Sequence, residues 1–234
     1  MRSIRMWFAA AAILALAATA SAQMGMGGMG MAGGFRGVWN PVVGAGGLYE
    51  TQNQRQGPGG GTSQMQIAIV GQETVNGKTG YWLEMTMDNP RGGGITYMKF
   101  LYVLDAGKMQ ILRMVIQPPG RSPIEMPVGG MGGMMGNRQP PPQAADISKE
   151  AQDLGSESVM VPAGTFTTEH YKHSDGSDVW VSPTVPPWGL VKLTSANSNM
   201  TLLKVVTGAT DMITGTPQTF DPGQMRPGGG PPQQ

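Results

Sequence analysis

The sequence predicts a mainly β protein: a curved antiparallel sheet or incomplete β-barrel with about one helix, flanked by Gly-, Met- and Pro-rich arms. Three observations predict it. Several short runs alternate apolar and polar residues at the period of two that a half-buried strand requires. Turn sequences separate these runs at short spacing, so successive strands pair antiparallel. Glycine (37) and proline (19) form about a quarter of the 234 residues, and they gather in 25–61, 118–142 and 221–234 rather than along the whole chain. The expected organisation is a signal peptide at 1–22, a disordered arm at 23–47, a β-rich domain at 48–207 with a flexible loop at 118–143, and a disordered tail at 208–234.

At the N-terminus Arg2 and Arg5 supply positive charge, Met6 to Ala18 is an unbroken apolar run, and Ala20-Ser21-Ala22 offers small residues of the A-x-A kind before Gln23. That order is the secretory signature. The run is shorter than the ~20 apolar residues of a membrane-spanning helix. No twin arginine is present, which points to the general secretion route. The chain has no cysteine, hence no thiol to carry a lipid, no disulfide, no thiolate metal site and no cysteine nucleophile. The expectation is a free protein, periplasmic or secreted. Cleavage after residue 22 of 234 leaves 212, enough for a core that needs no disulfides.

The elements follow in order. Met65, Ile67 and Ile69 alternate with Gln64, Gln66 and Ala68. Asn76-Gly77, the strongest hairpin dipeptide, leads into Tyr81, Leu83, Met85 and Met87, which alternate with Trp82, Glu84, Thr86 and Asp88. Glu84, Thr86 and Asp88 read as a solvated polar face. Ile95 to Leu104 is apolar on both faces, as in a strand covered on both sides. Asp105-Ala106-Gly107 turns the chain into a run where Leu112, Met114 and Ile116 share a face. These strands form a meander. After a Pro- and Gly-rich interruption, Ile147, Ala151 and Leu154 fall at i, i+4 and i+7, with Gly155 suited to a helix end, so a helix is expected over 144–154. Strand signals resume at 158–161, 165–172, 178–182, 189–194 and 200–206. The total is about nine strands and one helix.

The stretch Val161-Pro162-Ala163-Gly164-Thr165-Phe166, then His170-Tyr171, Val179-Trp180-Val181-Ser182 and Val185-Pro186-Pro187-Trp188-Gly189-Leu190-Val191-Lys192, resembles the C-terminal half of exported proteins with the lipoprotein-carrier (LolA/LolB-like) fold, in an uncharacterised branch. The resemblance covers about 50 residues well and the preceding meander loosely. It implies an incomplete barrel, lidded by helices, that holds acyl chains or other apolar ligands. Its motifs are structural: prolines after Ser182 end strand pairing, and glycines allow close turns.

Few residues offer chemistry. Met24, Met26, Met29 and Met31 lie in the N-terminal arm, and Met126, Met131, Met134 and Met135 in the internal loop. Thioethers are soft ligands that suit Cu(I), but methionine also accumulates in Gly-rich tracts and adheres to apolar surfaces. His170 and His173, with Asp175 and Asp178, suggest a metal by composition. Residues three apart on a strand face opposite ways, so these two read as polar residues near a hairpin tip. No G-x-S-x-G elbow is present. Glu84 and Asp88, four apart on a strand, are roughly 13 Å apart, too far for paired carboxylate catalysis. The formal G-x-G-x-x-G at 25–30 has no strand before it and no helix after it, so it is not a nucleotide loop.

Trp82, Trp180 and Trp188 either carry core burial, the commoner role of large aromatics, or join Met98 and Phe100 in lining a ligand cavity. The net charge is +1, and −1 without Arg2 and Arg5, which offers no footprint for nucleic acid or an anionic membrane. A closing stretch of Gly-Gly-Gly-Pro-Pro-Gln-Gln argues against an integral outer-membrane barrel. The expected function is an exported, non-enzymatic binding or carrier module for an apolar ligand such as a lipid or acyl chain, without a cofactor. The alternatives are a cell-envelope structural or interaction protein, or a periplasmic Cu(I)-binding protein acting through its methionine arms.

Overall fold

The computed structural model describes residues 37–53, 61–88, 94–128, 143–144 and 146–220. The export signal and Met24, Met26, Met29 and Met31 lie outside them. The first five strands are β1 (Ala45–Asn53), β2 (Gly61–Val75), β3 (Lys78–Asp88), β4 (Ile95–Asp105) and β5 (Lys108–Gln117). Two short ones follow, β6 (Ile124–Met126) and β7 (Gln143–Ala144). The second half holds β8 (Ala151–Val161), β9 (Gly164–His173), β10 (Asp178–Val181), β11 (Leu190–Thr194), β12 (Ser198–Thr207) and β13 (Gln218–Thr219). They form one open, curved sheet in the order β13-β6-β5-β4-β3-β2-β1-β12-β11-β10-β9-β8, with β7 also on β5.

Two local meanders build this sheet, β1 to β6 and β8 to β12, and each strand pairs antiparallel with its chain neighbour. The two meanders join between β1 and β12, from Ala45 opposite Thr207 to Asn53 opposite Ser198, and β13 pairs parallel with β6 at the far edge. Two tight turns set the register of the first meander. Asn76 and Gly77 both take positive φ (52° and 75°), as do Ala106 and Gly107 (48° and 77°). Positive φ at both central residues is the type I′ geometry, whose twist suits a hairpin. Alanine is the poorer residue there, because a left-handed L-residue other than Asn, Asp or Gly is strained by about 1 kcal/mol. Ala106→Asn is therefore expected to raise stability by about 0.5 kcal/mol, read as a higher urea midpoint with unchanged m.

The expected helix over 144–154 is not formed. Ile147–Lys149 makes a single 3-10 turn, capped by the Asp146 carboxylate, which accepts from the Ser148 N–H at 2.9 Å. From Ala151 the chain runs extended as β8, paired along its length with β9. Only one of the three helix-spaced residues is well buried: Ile147 is 3% exposed, whereas Leu154 is 48% exposed. Three apolar positions define too narrow a stripe to outweigh a full ladder of strand hydrogen bonds. Gly155, expected at a helix end, sits with φ 95° at a bulge in that ladder. Among the described residues no α-helix covers the sheet, and none is long and apolar enough to cross a membrane.

The inner face carries the core. Ile67, Ile69, Leu83, Met85, Met98 and Met114 from the first meander pack in one cluster with Val179, Val181, Leu190, Val191 and Leu202 from the second. Tyr49 on β1 joins the halves, its hydroxyl donating to the Leu190 carbonyl at 3.0 Å. The outer face carries Trp82, Glu84, Lys99 and Arg113, and a strap formed by 209–220 crosses it from β12 to β13.

Candidate ligand-binding face

The inner face of the first meander is built largely from methionine. Cross-strand pairing sets Met65 opposite Met87, Met85 opposite Met98, and Met114 opposite Met126. Period-two alternation places all six side chains on one face. Met65, Met85, Met98, Met109, Met114, Met126 and Met200 are all buried. Met126, grouped by sequence with the loop methionines, belongs to this core through β6. Flexible thioether side chains fill irregular space and adapt to changes of shape.

An aromatic group packs against this face. Trp188 is 2% exposed, and its ring lies 4.6 Å from Trp39 and 6.0 Å from Tyr102, edge-on to the latter. Trp39 also meets Tyr81 at 6.2 Å and Tyr102 at 5.8 Å, and Phe100 meets Tyr102 at 6.1 Å. These tilted and edge-to-face arrangements are the favoured geometries of aromatic pairs. Burial pushes the Tyr49 and Tyr102 phenols well above their ordinary pKa, so both stay neutral.

Two short segments hold the aromatics in place. The turn after Ser182 carries Trp188; its Gly189 N–H donates to Val185 O (2.6 Å) and the Ser182 N–H to Gly189 O (2.7 Å). Against it runs 37–40: the Val38 N–H donates to Trp188 O (2.8 Å), the Asn40 N–H to Pro187 O (2.7 Å) and the Asn40 side-chain amide to Pro183 O (3.0 Å). Gly37 O accepts from the Ile147 N–H at 2.9 Å, which ties the same segment to the 3-10 turn. The helical lid implied by the carrier resemblance is thus replaced, among the described residues, by loops that bring in Trp39 and Trp188.

Of the five residues predicted to line a cavity, Met98, Phe100 and Trp188 come together on the inner face, 2%, 7% and 2% exposed. Trp82 and Trp180 do not join them. Trp82 lies on the outer face beneath two cations, Lys99 Nζ at 4.9 Å and the Arg113 guanidinium at 5.2 Å from its ring centroid. Arg113 is in turn held bidentate by Glu125 at 2.7 and 3.0 Å, which raises the arginine pKa and lowers that of Glu125. Trp180 alternates with the buried Val179 and Val181, so it faces outward. Its ring stacks on His170 at 4.3 Å with Lys192 Nζ 4.7 Å from the centroid, and its Nε1 donates to Glu157.

The two histidines do not converge. His170 lies between Glu157 and Asp178, 3.1 Å from each, whereas His173 is 3.4 Å from Asp175. The Lys172 ammonium, and to a lesser degree His170, lowers the Asp178 pKa. Among the described residues no three His, Asp or Glu side chains form a metal-binding group. Trp39 is the site residue that sequence reasoning missed. Its signal was a lone Val-Trp-Asn-Pro inside a Gly-rich arm, an aromatic where low-complexity sequence needs none.

No family model matches the chain, and no curated protein matches its sequence. Solved structures overlap with it only loosely, among them the following two. One is a candidate lipoprotein from Parabacteroides distasonis ATCC 8503, 13% identical, covering 74% of this chain and 100% of its own, with a TM-score of 0.35. The other is a candidate exported protein with a YmcC-like fold from Bacteroides fragilis NCTC 9343, 10% identical, covering 73% and 99%, with a TM-score of 0.33. Overlaps this loose transfer neither a topology nor a site.

Proposed function

We propose that the protein is an exported, non-enzymatic binding module whose inner face takes an apolar ligand such as a lipid or acyl chain. The methionine lining of that face carries the reading. A core selected for rigidity alone favours Leu, Ile, Val and Phe, whose rotamers are well defined. Methionines paired across five neighbouring strands instead give a surface that can re-form around a flexible chain. Loop-borne side chains, Trp39 and Trp188, pack against this face, so entry of a ligand requires movement of loops rather than of the sheet. The secretory signature at 1–22 supplies the location, periplasmic or secreted.

Native mass spectrometry of the mature protein purified from the cell envelope, with solvent extraction of whatever accompanies it, tests this reading. The expected result is a lipid or other apolar compound at near one-to-one stoichiometry. A ligand-free mass that stays unchanged when lipids are added would overturn it, and the filled inner face would then be that of a structural or interaction protein.

A further inference from the structure

Registered cross-strand pairs place Gly46, Ala68, Glu84, Lys99, Val115 and Glu125 in one row across β1 to β6 on the outer face. The strap at 209–220 follows this row. The Ala209 N–H donates to Gly44 O at 2.9 Å, and the Met212 N–H reaches both oxygens of the Glu84 carboxyl at 3.1 and 3.3 Å. Asp211 pairs with Lys99, and Ile213 is 5% exposed. At the far end the Gln218 N–H donates to Pro123 O (2.9 Å) and the Phe220 N–H to Glu125 O (3.1 Å). Glu84 itself, read from alternation as part of a solvated polar face, is 3% exposed beneath the strap.

We propose that this strap is a pH-operated latch, closed while the buried Glu84 carboxyl is protonated and loosened when it is ionised. The charged groups around the pair are few. β4 contributes Lys99, already held by Asp211, and the strap contributes Asp211 itself. β2 sets the uncharged Ala68 opposite Glu84. Arg113 on β5 is held by Glu125 on β6, with Glu73 of β2 at 3.9 Å. With Glu84 protonated, the Glu84–Asp211–Lys99 cluster is neutral. Without that proton, a buried negative charge is left over, the costly arrangement.

Burial pushes Glu84 up to about 7; the hydrogen bond and negative charge of Asp211 add to the rise, and the Met212 and Ile213 N–H groups work against it. The sign follows from a folded-state pKa above the ordinary one. The closed strap is favoured below about 4.5, and that preference is lost as pH rises through about 7. The latch lies on the opposite face from the proposed ligand, so it stands or falls independently of the binding reading.

Hydrogen–deuterium exchange of the full mature protein, normalised to intrinsic rates, tests the latch. Protection of the Met212 and Ile213 amides is expected to fall about tenfold or more between mildly acidic and mildly alkaline pH. Glu84→Gln mimics the protonated carboxyl, accepting from Met212 and donating to Asp211, and should hold protection constant across that range. Equal protection of the wild type at both pH values, or an equal fall in Glu84→Gln, would overturn the proposal. Should Glu84→Gln fail to fold, the Glu84 side-chain carbon resonance of the wild type decides: a midpoint near 7 supports the latch, and one in the ordinary carboxylate range overturns it.

Discussion

Trp188→Ala is expected to cost about 3–5 kcal/mol, the usual range for deleting a large buried aromatic. The reason is the number of partners lost at once. The ring touches Trp39 and Tyr102, and its own backbone carbonyl receives the Val38 N–H, so a cavity here also loosens the 37–40 segment. Urea unfolding of the mature protein would show the loss as a lower midpoint at constant m, and heating as a melting temperature lower by roughly 10 °C. Trp188→Phe should recover more than half of the loss by refilling part of the volume. A cost below about 1 kcal/mol for the alanine variant would mean that the ring is not packed between Trp39 and Tyr102.

Gly46→Ala is expected to be nearly as damaging, although it adds a single methyl group. A Cβ at this position would run into the Ile67 carbonyl oxygen and lie 2.6 Å from the Ala68 Cα, both backbone atoms of β2. No side chain can swing aside, so β1 must separate from β2. Gly46 also pairs with Val206 of β12, so the displacement falls on the strand that joins the two halves of the sheet. The expected cost is about 3 kcal/mol or more. Gly71→Ala is the matched control, because the nearest atom to its added Cβ is Trp82 Cδ1 at 3.9 Å, an ordinary contact. That change should be neutral or stabilising by about 0.5 kcal/mol, since glycine in a strand loses more chain entropy on folding than alanine does. Parallel denaturation curves settle both, and equal costs for the two variants would refute the close approach of β1 to β2.

The contrast between Glu84 and Trp180 shows how far alternation reaches. Alternation put Glu84 on the face opposite the apolar core, and the structure agrees; Trp180, expected in the core or a ligand cavity, instead faces outward between the buried Val179 and Val181. What alternation could not say is whether that face meets water. Trp180 stays partly exposed between His170 and Lys192, whereas Glu84 is covered by a strap 128 residues away in sequence. The strap follows β12, and its sequence has no period because it binds through backbone N–H groups, Asp211 and the single buried Ile213. Trp39 escaped notice for a related reason. Its segment is held by backbone hydrogen bonds to a turn about 145 residues away, and such bonds leave no pattern in side-chain type.

The sequence by itself determined the mainly β class, the hairpins at Asn76-Gly77 and Ala106-Gly107, and which residues of β2 and β3 face the core. These depend on local backbone preference and on a period of two, both written in consecutive residues. Only the tertiary structure decided the fate of 144–154, where pairing with β9 overrode a three-residue helical pattern, and the join of β1 to β12 that makes one sheet from two meanders. It alone brought Trp39 to Trp188 and Asp211 to Glu84. Those outcomes depend on which distant surfaces meet and how much area they bury. That is a property of the whole chain, and no local window of residues encodes it.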